Sequence, residues 1–426
     1  MRIQNSLPLA LFLSTQSVAA LDFDLNHPDT IEAAAKVLVS SITTPYNTTF
    51  SSKPTFPLPD NPNPYPAWVP PSAWTALIEY AHLSGDTSFN TLVASALQEQ
   101  ATATDGWTKP ELSNVEMSSW AIAALTALET GLEEPSDESK SWIDLAKGVF
   151  EMQVTRWNED SAAACSGGLF AGGSDGGSGK PAFANTNFFL LASRLALATG
   201  GEDPVFVEWA EKVWTWIEGT MVDKQSWSVN DLSVGSDGKC EIDGVWFRGY
   251  RDRAILIEGV ANLWNLTAAS TENSTWTAPL TSLTSALCAT DSPECRPAAT
   301  DSEDQTVDYI IRGCESGATG QCPFDNRALK GPWIRSLGRA ASLVSSLTDA
   351  EERLTRIVDA SAQAAASRCR PREGEGASIG CDVKWYKSCN TPDGWCMGAM
   401  PPTVEVGGLG EVHAALEAVQ GVLWTT

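Results

Sequence analysis

Basic residues are scarce in this chain. Against 53 Asp+Glu its 426 residues include 28 Lys+Arg, a formal charge of −25. A phosphate backbone needs a cationic face, so nucleic acid is excluded as a partner, and an anionic membrane surface is disfavoured on the same ground. Histidine is scarcer still. His27, His82 and His413 lie far apart and no Cys-x-x-Cys occurs, so neither a metal nor another cofactor is expected. No Gly-x-Ser-x-Gly is present, which with so few His argues against a Ser-His hydrolase. The stretch 167–179 holds seven glycines and ends in Gly179-Lys180-Pro181, but it is no phosphate loop. Ser174 stands where that motif needs Gly, Pro181 replaces Ser/Thr, and no strand is expected before it.

What is present suits a globular, exported protein. Hydrophobic residues make up 43% and charged residues 19%. Residues 1–20 read as a secretory signal, with Arg2, an apolar run from Leu7 to Leu13 too short to span a bilayer, and the small residues Val18-Ala19-Ala20 before the cut. In an oxidising compartment ten Cys allow five disulfides. Proximity pairs Cys288 with Cys295, Cys314 with Cys322, Cys369 with Cys381 and Cys389 with Cys396, leaving Cys165 for Cys240. Asn47, Asn265 and Asn273 carry the N-glycosylation acceptor pattern. The chain ends in an amphipathic helix rather than a polar spacer and a continuous apolar tail, so a freely secreted protein without a lipid anchor is expected.

Apolar spacing predicts helices almost throughout. Trp74, Leu77, Ile78 and Ala81 fall at i, i+3, i+4 and i+7, and Gly85 supplies a stop. The same rhythm predicts helices over 31–42, 87–100, 115–130, 138–156, 183–199, from 204, 252–267, 327–347, 351–368 and 408–424, with weaker signals over 275–288 and 303–313. Residues 53–71 carry eight prolines and are expected to form an ordered, non-helical surface loop. Length alone would allow two or three domains. The absence of a dividing linker or tandem repeat favours one all-α domain over 21–426 built from helical hairpins.

One frame stands out: Asn114-Val115-Glu116-Met117-Ser118-Ser119-Trp120 at a helix start. It resembles the catalytic helix of the fungal family 76 glycoside hydrolases, the endo-α-1,6-mannanases and related wall-remodelling proteins, which read Asn-Asp-Asp-Gln-x-x-Trp. Further matches run in order along the mature chain: Leu21-Asp22-Phe23-Asp24, Trp68, Trp74, Ser84-Gly85-Asp86-Thr87, Gly167-Gly168-Leu169, Lys180, Asn185, Arg194, Gly380-Cys381, Trp385 and Gly408-Leu409-Gly410. The resemblance implies an (α/α)6 barrel with a sugar cleft at one mouth, and mannan or a related wall polysaccharide as partner.

Glycosidases generally set two carboxyl groups about the scissile bond. By the resemblance the family's nucleophile position is Val115, which cannot attack carbon, and the acid/base position is Glu116. A competing account of Glu116 is a favourable charge at a helix start. Asp231 is the preferred second carboxylate, against a plain turn residue, and Asp252 competes, flanked by Arg251 and Arg253 where the family has neutral residues. Trp68, Asn114, Lys180, Asn185, Arg251 and Arg253 are the expected substrate-binding residues, with Trp68 stacking on a sugar while Trp74 and Trp120 serve the core. Three functions follow. The chain is a hydrolase or transglycosidase of α-1,6-mannan, a non-catalytic mannan binder on the same scaffold, or a diverged glycosidase whose Arg pair meets an acidic sugar.

Overall fold

Helix ends follow local chemistry. Ser113 Oγ accepts the Glu116 N–H at 3.1 Å, Ser141 Oγ accepts that of Asp144 at 3.2 Å, and Asp203 precedes Pro204 at another start. The computed structural model describes residues 21–49, 66–136, 139–157, 165–172, 179–243, 249–267, 273–289, 295–297, 309–311, 327–371, 379–383, 385 and 408–425. The signal region, most of the proline-rich stretch, Cys314, Cys322, Cys389 and Cys396 lie outside the described residues, as do the side chains of Asn47, Arg251 and Asn273.

Twelve α-helices are found among the described residues: α1 (Pro28–Thr49), α2 (Val69–Ser84), α3 (Asn90–Ala103), α4 (Asn114–Thr130), α5 (Trp142–Arg156), α6 (Ala182–Ala198), α7 (Pro204–Thr220), α8 (Gly249–Leu266), α9 (Asn273–Ala286), α10 (Lys330–Leu343), α11 (Thr348–Ala366) and α12 (Leu409–Gly421). The even-numbered helices form an inner ring in which each packs on the next and α12 returns to α2. The odd-numbered helices lie outside it, α5 mainly on α4, α7 on α6, α9 on α8, and α11 on α10 and α12. This is the expected (α/α)6 barrel. Because inner and outer helices alternate along the chain, the inner six all start at the same mouth. An inner helix meets neighbours on both flanks and the barrel axis, so it is buried all round, as α6 is from Ala182 to Ala196.

Two expectations on elements need correction. Val69, Pro70 and Pro71 are helical, because the first turn of a helix needs no N–H donors and proline fits there. Tyr309–Ile311, expected in a helix, is instead a strand paired with Cys295–Pro297. Among the described residues the other strands are β1 (Gly179–Lys180), β2 (Asp231–Val234) and β3 (Cys240–Asp243), joined antiparallel in that order, and a short Cys369–Pro371 and Ile379–Cys381 pair. Three expected disulfides are formed, Cys165–Cys240, Cys288–Cys295 and Cys369–Cys381.

The barrel axis is closed by charge rather than by hydrocarbon. Arg339 on α10 binds Glu79 of α2 at 3.2 Å and Glu258 of α8 at 3.0 Å, and also pairs with Glu129 of α4. Arg194 of α6 meets Glu129 at 2.6 Å, and Arg335 meets Glu417 of α12 at 2.6 Å. Every inner helix thus contributes a charged group to one network, buried except at Glu129, which keeps part of its surface exposed. Burial, then the nearby charge of Glu417, pushes the Glu79 carboxyl up to about 8. With Glu79 protonated, three carboxylates face three guanidiniums, which is the arrangement that leaves no uncompensated buried charge.

Candidate active site

The mouth where the inner helices start holds the residues singled out above. Glu116, third residue of α4, is half-buried, and its carboxyl makes no hydrogen bond or ion pair among the described residues. Burial raises it to about 7. A carboxyl in that range is a proton donor at neutral and acidic pH, the property asked of a glycosidase's general acid. Val115 beside it is also half-buried and packs, with Trp68, against Ile122, Phe183, Leu190 and Ile255. Where the resemblance implies a nucleophilic carboxylate, an apolar patch contributed by α4, α6 and α8, with Trp68 ahead of α2, stands instead. Trp68 stands just before α2, half-exposed, edge-on to the Phe183 ring at 5.7 Å. Trp74 and Trp120 are buried in the core.

Asp231 opens β2, and its Oδ1 accepts the Ala182 N–H of α6 at 2.7 Å. It is therefore at the same mouth, half-buried, and occupied as a helix cap. Asp252 lies on the first turn of α8 and is wholly buried. Arg253 next to it turns outward, donating to the carbonyls of Trp227 at 2.8 Å, Ala286 at 3.0 Å and Ser226 at 3.1 Å. Two of these bonds hold the turn in which Trp227 adopts a positive φ of 54°, and the third ties it to the end of α9. The guanidinium expected to meet a sugar is committed to backbone oxygens.

Asn114, Lys180 and Asn185 converge on one segment, residues 165–172. Asn114 Nδ2 donates to the carbonyls of Phe170 at 2.8 Å and Gly172 at 3.1 Å. Asn185 brackets Leu169, accepting its N–H at 2.7 Å and donating to its carbonyl at 3.0 Å. The fully buried Lys180 ammonium donates to the Cys165 carbonyl at 2.7 Å and to that of Gly167, and burial lowers it to about 8. Trp216 of α7 lies flat beneath Gly167 and Gly168, so closely that a Cβ on either would run into the indole, and both glycines adopt positive φ. These polar residues, expected on sugar, hold a loop against the mouth.

Sequence reasoning missed the second layer. Gln153 of α5 donates to the Asn114 carbonyl at 2.9 Å, and Arg156 to Asn114 Oδ1 at 3.2 Å and the Leu112 carbonyl at 2.8 Å. Arg156 at the end of α5 reads in sequence as a helix-terminal cation, and nothing local links it to a segment some 42 residues earlier. Gln153 carries no signal at all.

Known proteins share this architecture. Mannan endo-1,6-alpha-mannosidase DCW1 of Saccharomyces cerevisiae is 26% identical over 422 residues, covering 96% of this chain and 83% of that protein. Mannan endo-1,6-alpha-mannosidase DFG5 of Candida albicans is 26% identical over 428 residues, covering 97% and 84%. Among solved structures, Dfg5 from Chaetomium thermophilum, in complex with glucosamine, superposes with a TM-score of 0.75 at 23% identity, covering 94% of this chain and 92% of that one. An inactive variant of the α-1,6-mannanase from Salegentibacter sp., in complex with α-1,6-mannotriose, gives 0.67 at 17% identity, covering 93% and 100%. Residues 30–426 match the model of Glycosyl hydrolase family 76, and the chain belongs to that family.

Proposed function

We propose that this protein processes the α-1,6-linked mannan of the fungal cell wall, in the wall or outside the cell, as a single catalytic domain over 21–426 with Glu116 as its general acid. The observation that carries the reading is the Glu116 carboxyl, half-buried on the first turn of α4 at the barrel mouth of a family 76 chain, raised by that burial and without a hydrogen bond or ion pair among the described residues. Curated relatives of similar length are named as mannan endo-1,6-alpha-mannosidases, which supplies the substrate class. Val115 removes the family's attacking group, so the second carboxylate must act on water. Asp231 suits that task better than Asp252, being half-buried where Asp252 has no exposed surface. Carboxyls that activate water in this way stand about 6.5–9.5 Å apart and invert the anomeric centre, whereas a retaining pair stands about 5 Å apart.

The apolar patch around Val115 favours a second reading, a mannan-binding protein that has lost turnover. Reducing-end release from linear α-1,6-mannan separates the two. Turnover that disappears in Glu116→Gln supports the enzyme. Saturable binding with no product supports the binder. Turnover untouched by Glu116→Gln refutes the assignment of the acid.

A further inference from the structure

We propose that Phe170 is a saccharide-stacking residue, presented by a shelf pinned to the first turn of the helix that carries Glu116. The inference rests on the glycan reading above and adds a binding residue to it.

The shelf is residues 165–172, Cys-Ser-Gly-Gly-Leu-Phe-Ala-Gly. It has no charged side chain and only one large side chain that is not buried, Phe170. Its backbone is fixed from five directions. Asn114 holds the Phe170 and Gly172 carbonyls from α4, Asn185 holds Leu169 from α6, and Lys180 holds the Cys165 and Gly167 carbonyls from β1. Cys240 fixes Cys165 through a disulfide from β3, and Trp216 supports Gly167 and Gly168 from α7, its indole N–H donating to the Ser166 carbonyl at 2.8 Å. The Ala171 N–H adds a bond to the Gly179 carbonyl at 3.1 Å.

These restraints fix the backbone that carries Phe170, and Lys180 beneath it contacts the ring. Two of the pins, Asn114 and Asn185, sit on the first turns of α4 and α6, so the shelf overlies the barrel mouth. Asn114 is two residues from Glu116. The buried Lys180 ammonium lies 4.9 Å from the Phe170 ring centroid. That contact fills the inner side of the ring, so the exposed part faces away from the protein interior. A fixed, half-exposed aromatic on an uncharged backbone shelf fits the C–H face of a neutral pyranose, and the chain's charge of −25 argues against an anionic one.

The test is calorimetric titration of wild-type protein, Phe170→Ala, Phe170→Leu and Phe170→Trp with α-1,6-mannotetraose, a β-1,3-glucan oligosaccharide and chitotetraose, with melting curves for each variant. Expected are a loss of affinity of about tenfold or more in the Ala and Leu variants and near wild-type affinity in Trp. Leu keeps most of the bulk, so its comparison with Trp isolates the ring even if the Ala variant folds poorly. Mannotetraose binding unchanged in Phe170→Leu overturns the stacking role and leaves the mannan reading standing. Binding of another of these glycans, lost in Phe170→Leu, overturns the mannan reading and keeps the stacking role. A wild type that binds none of the three overturns both.

Discussion

Asp231 accepts the Ala182 N–H at 2.7 Å, so the carboxylate proposed to activate water also caps the helix that forms one side of the mouth. Capping and catalysis can be separated, because asparagine keeps the accepting oxygen and loses the charge. Asp231→Asn should melt with the wild type and lose mannan turnover. Asp231→Ala should lose both the turnover and about 1 kcal/mol of stability. Full activity in Asp231→Asn would reduce the residue to a cap.

Glu116 predicts a pH profile. Burial places its carboxyl at about 7, and the acid role needs the protonated form. The rate should therefore hold on the acidic side and fall as pH rises through about 7. Glu116→Gln should lower the rate by about 10²–10⁴-fold and remove that limb, read from initial rates across pH. A limb that persists in the variant belongs to another group.

Val115→Asp restores the carboxylate the resemblance calls for, but places it among Ile122, Phe183, Leu190, Ile255 and Trp68. Burying an unpaired polar group there should cost about 1–3 kcal/mol near neutral pH. Protonation of the new carboxyl should recover part of this, so melting temperatures of variant and wild type should converge toward acid. A variant as stable as wild type at neutral pH would show that water reaches the patch. Mannan turnover gained by the variant from an inert parent would mark a decayed enzyme.

Glu79 governs a pH dependence of stability rather than of rate. Its carboxyl moves from 4.5 to about 8, so the folded state holds a proton that the unfolded chain releases. This contribution is present in full below about 4.5 and is lost as pH rises through about 8. Denaturant unfolding should show stability declining across that window, and Glu79→Gln, fixed in the neutral form, should flatten the decline. A wild-type curve level across the window would mean that Glu79 is already ionised in the folded protein.

The helices were legible because their signals are local. Trp74, Leu77, Ile78 and Ala81 mark one face and Gly85 its end, and the (α/α)6 arrangement followed from the family motifs. The start of α2 was not, because eight prolines outweighed the rule that the first turn tolerates them. The site was half legible. Position 116 stood out through its frame, while Asn114, Lys180 and Asn185 were placed on substrate although their polar atoms go to the backbone of residues 165–172. The axial network was not legible as a network. Arg194 matches the family pattern but nothing in the sequence gives it a partner, and Glu129, Glu258 and Arg339 are scattered charges until the ring brings them together with it.

The seam between α2 and α12 has a consequence for biosynthesis. Gln420 donates to the Ala76 carbonyl at 3.1 Å and His413 meets Ser72 at 3.3 Å, so the first inner helix is sealed by the last. A chain emerging from its amino end can pair neighbouring hairpins as they appear, but it cannot close the circle until residue 420 is out. Until then Arg335 lacks Glu417 and one flank of α2 is open to solvent. The growing chain is therefore a nearly complete but unclosed protein until its last helix appears, and a premature stop even a few turns short of that helix leaves a product with an exposed apolar edge and unpaired interior charge.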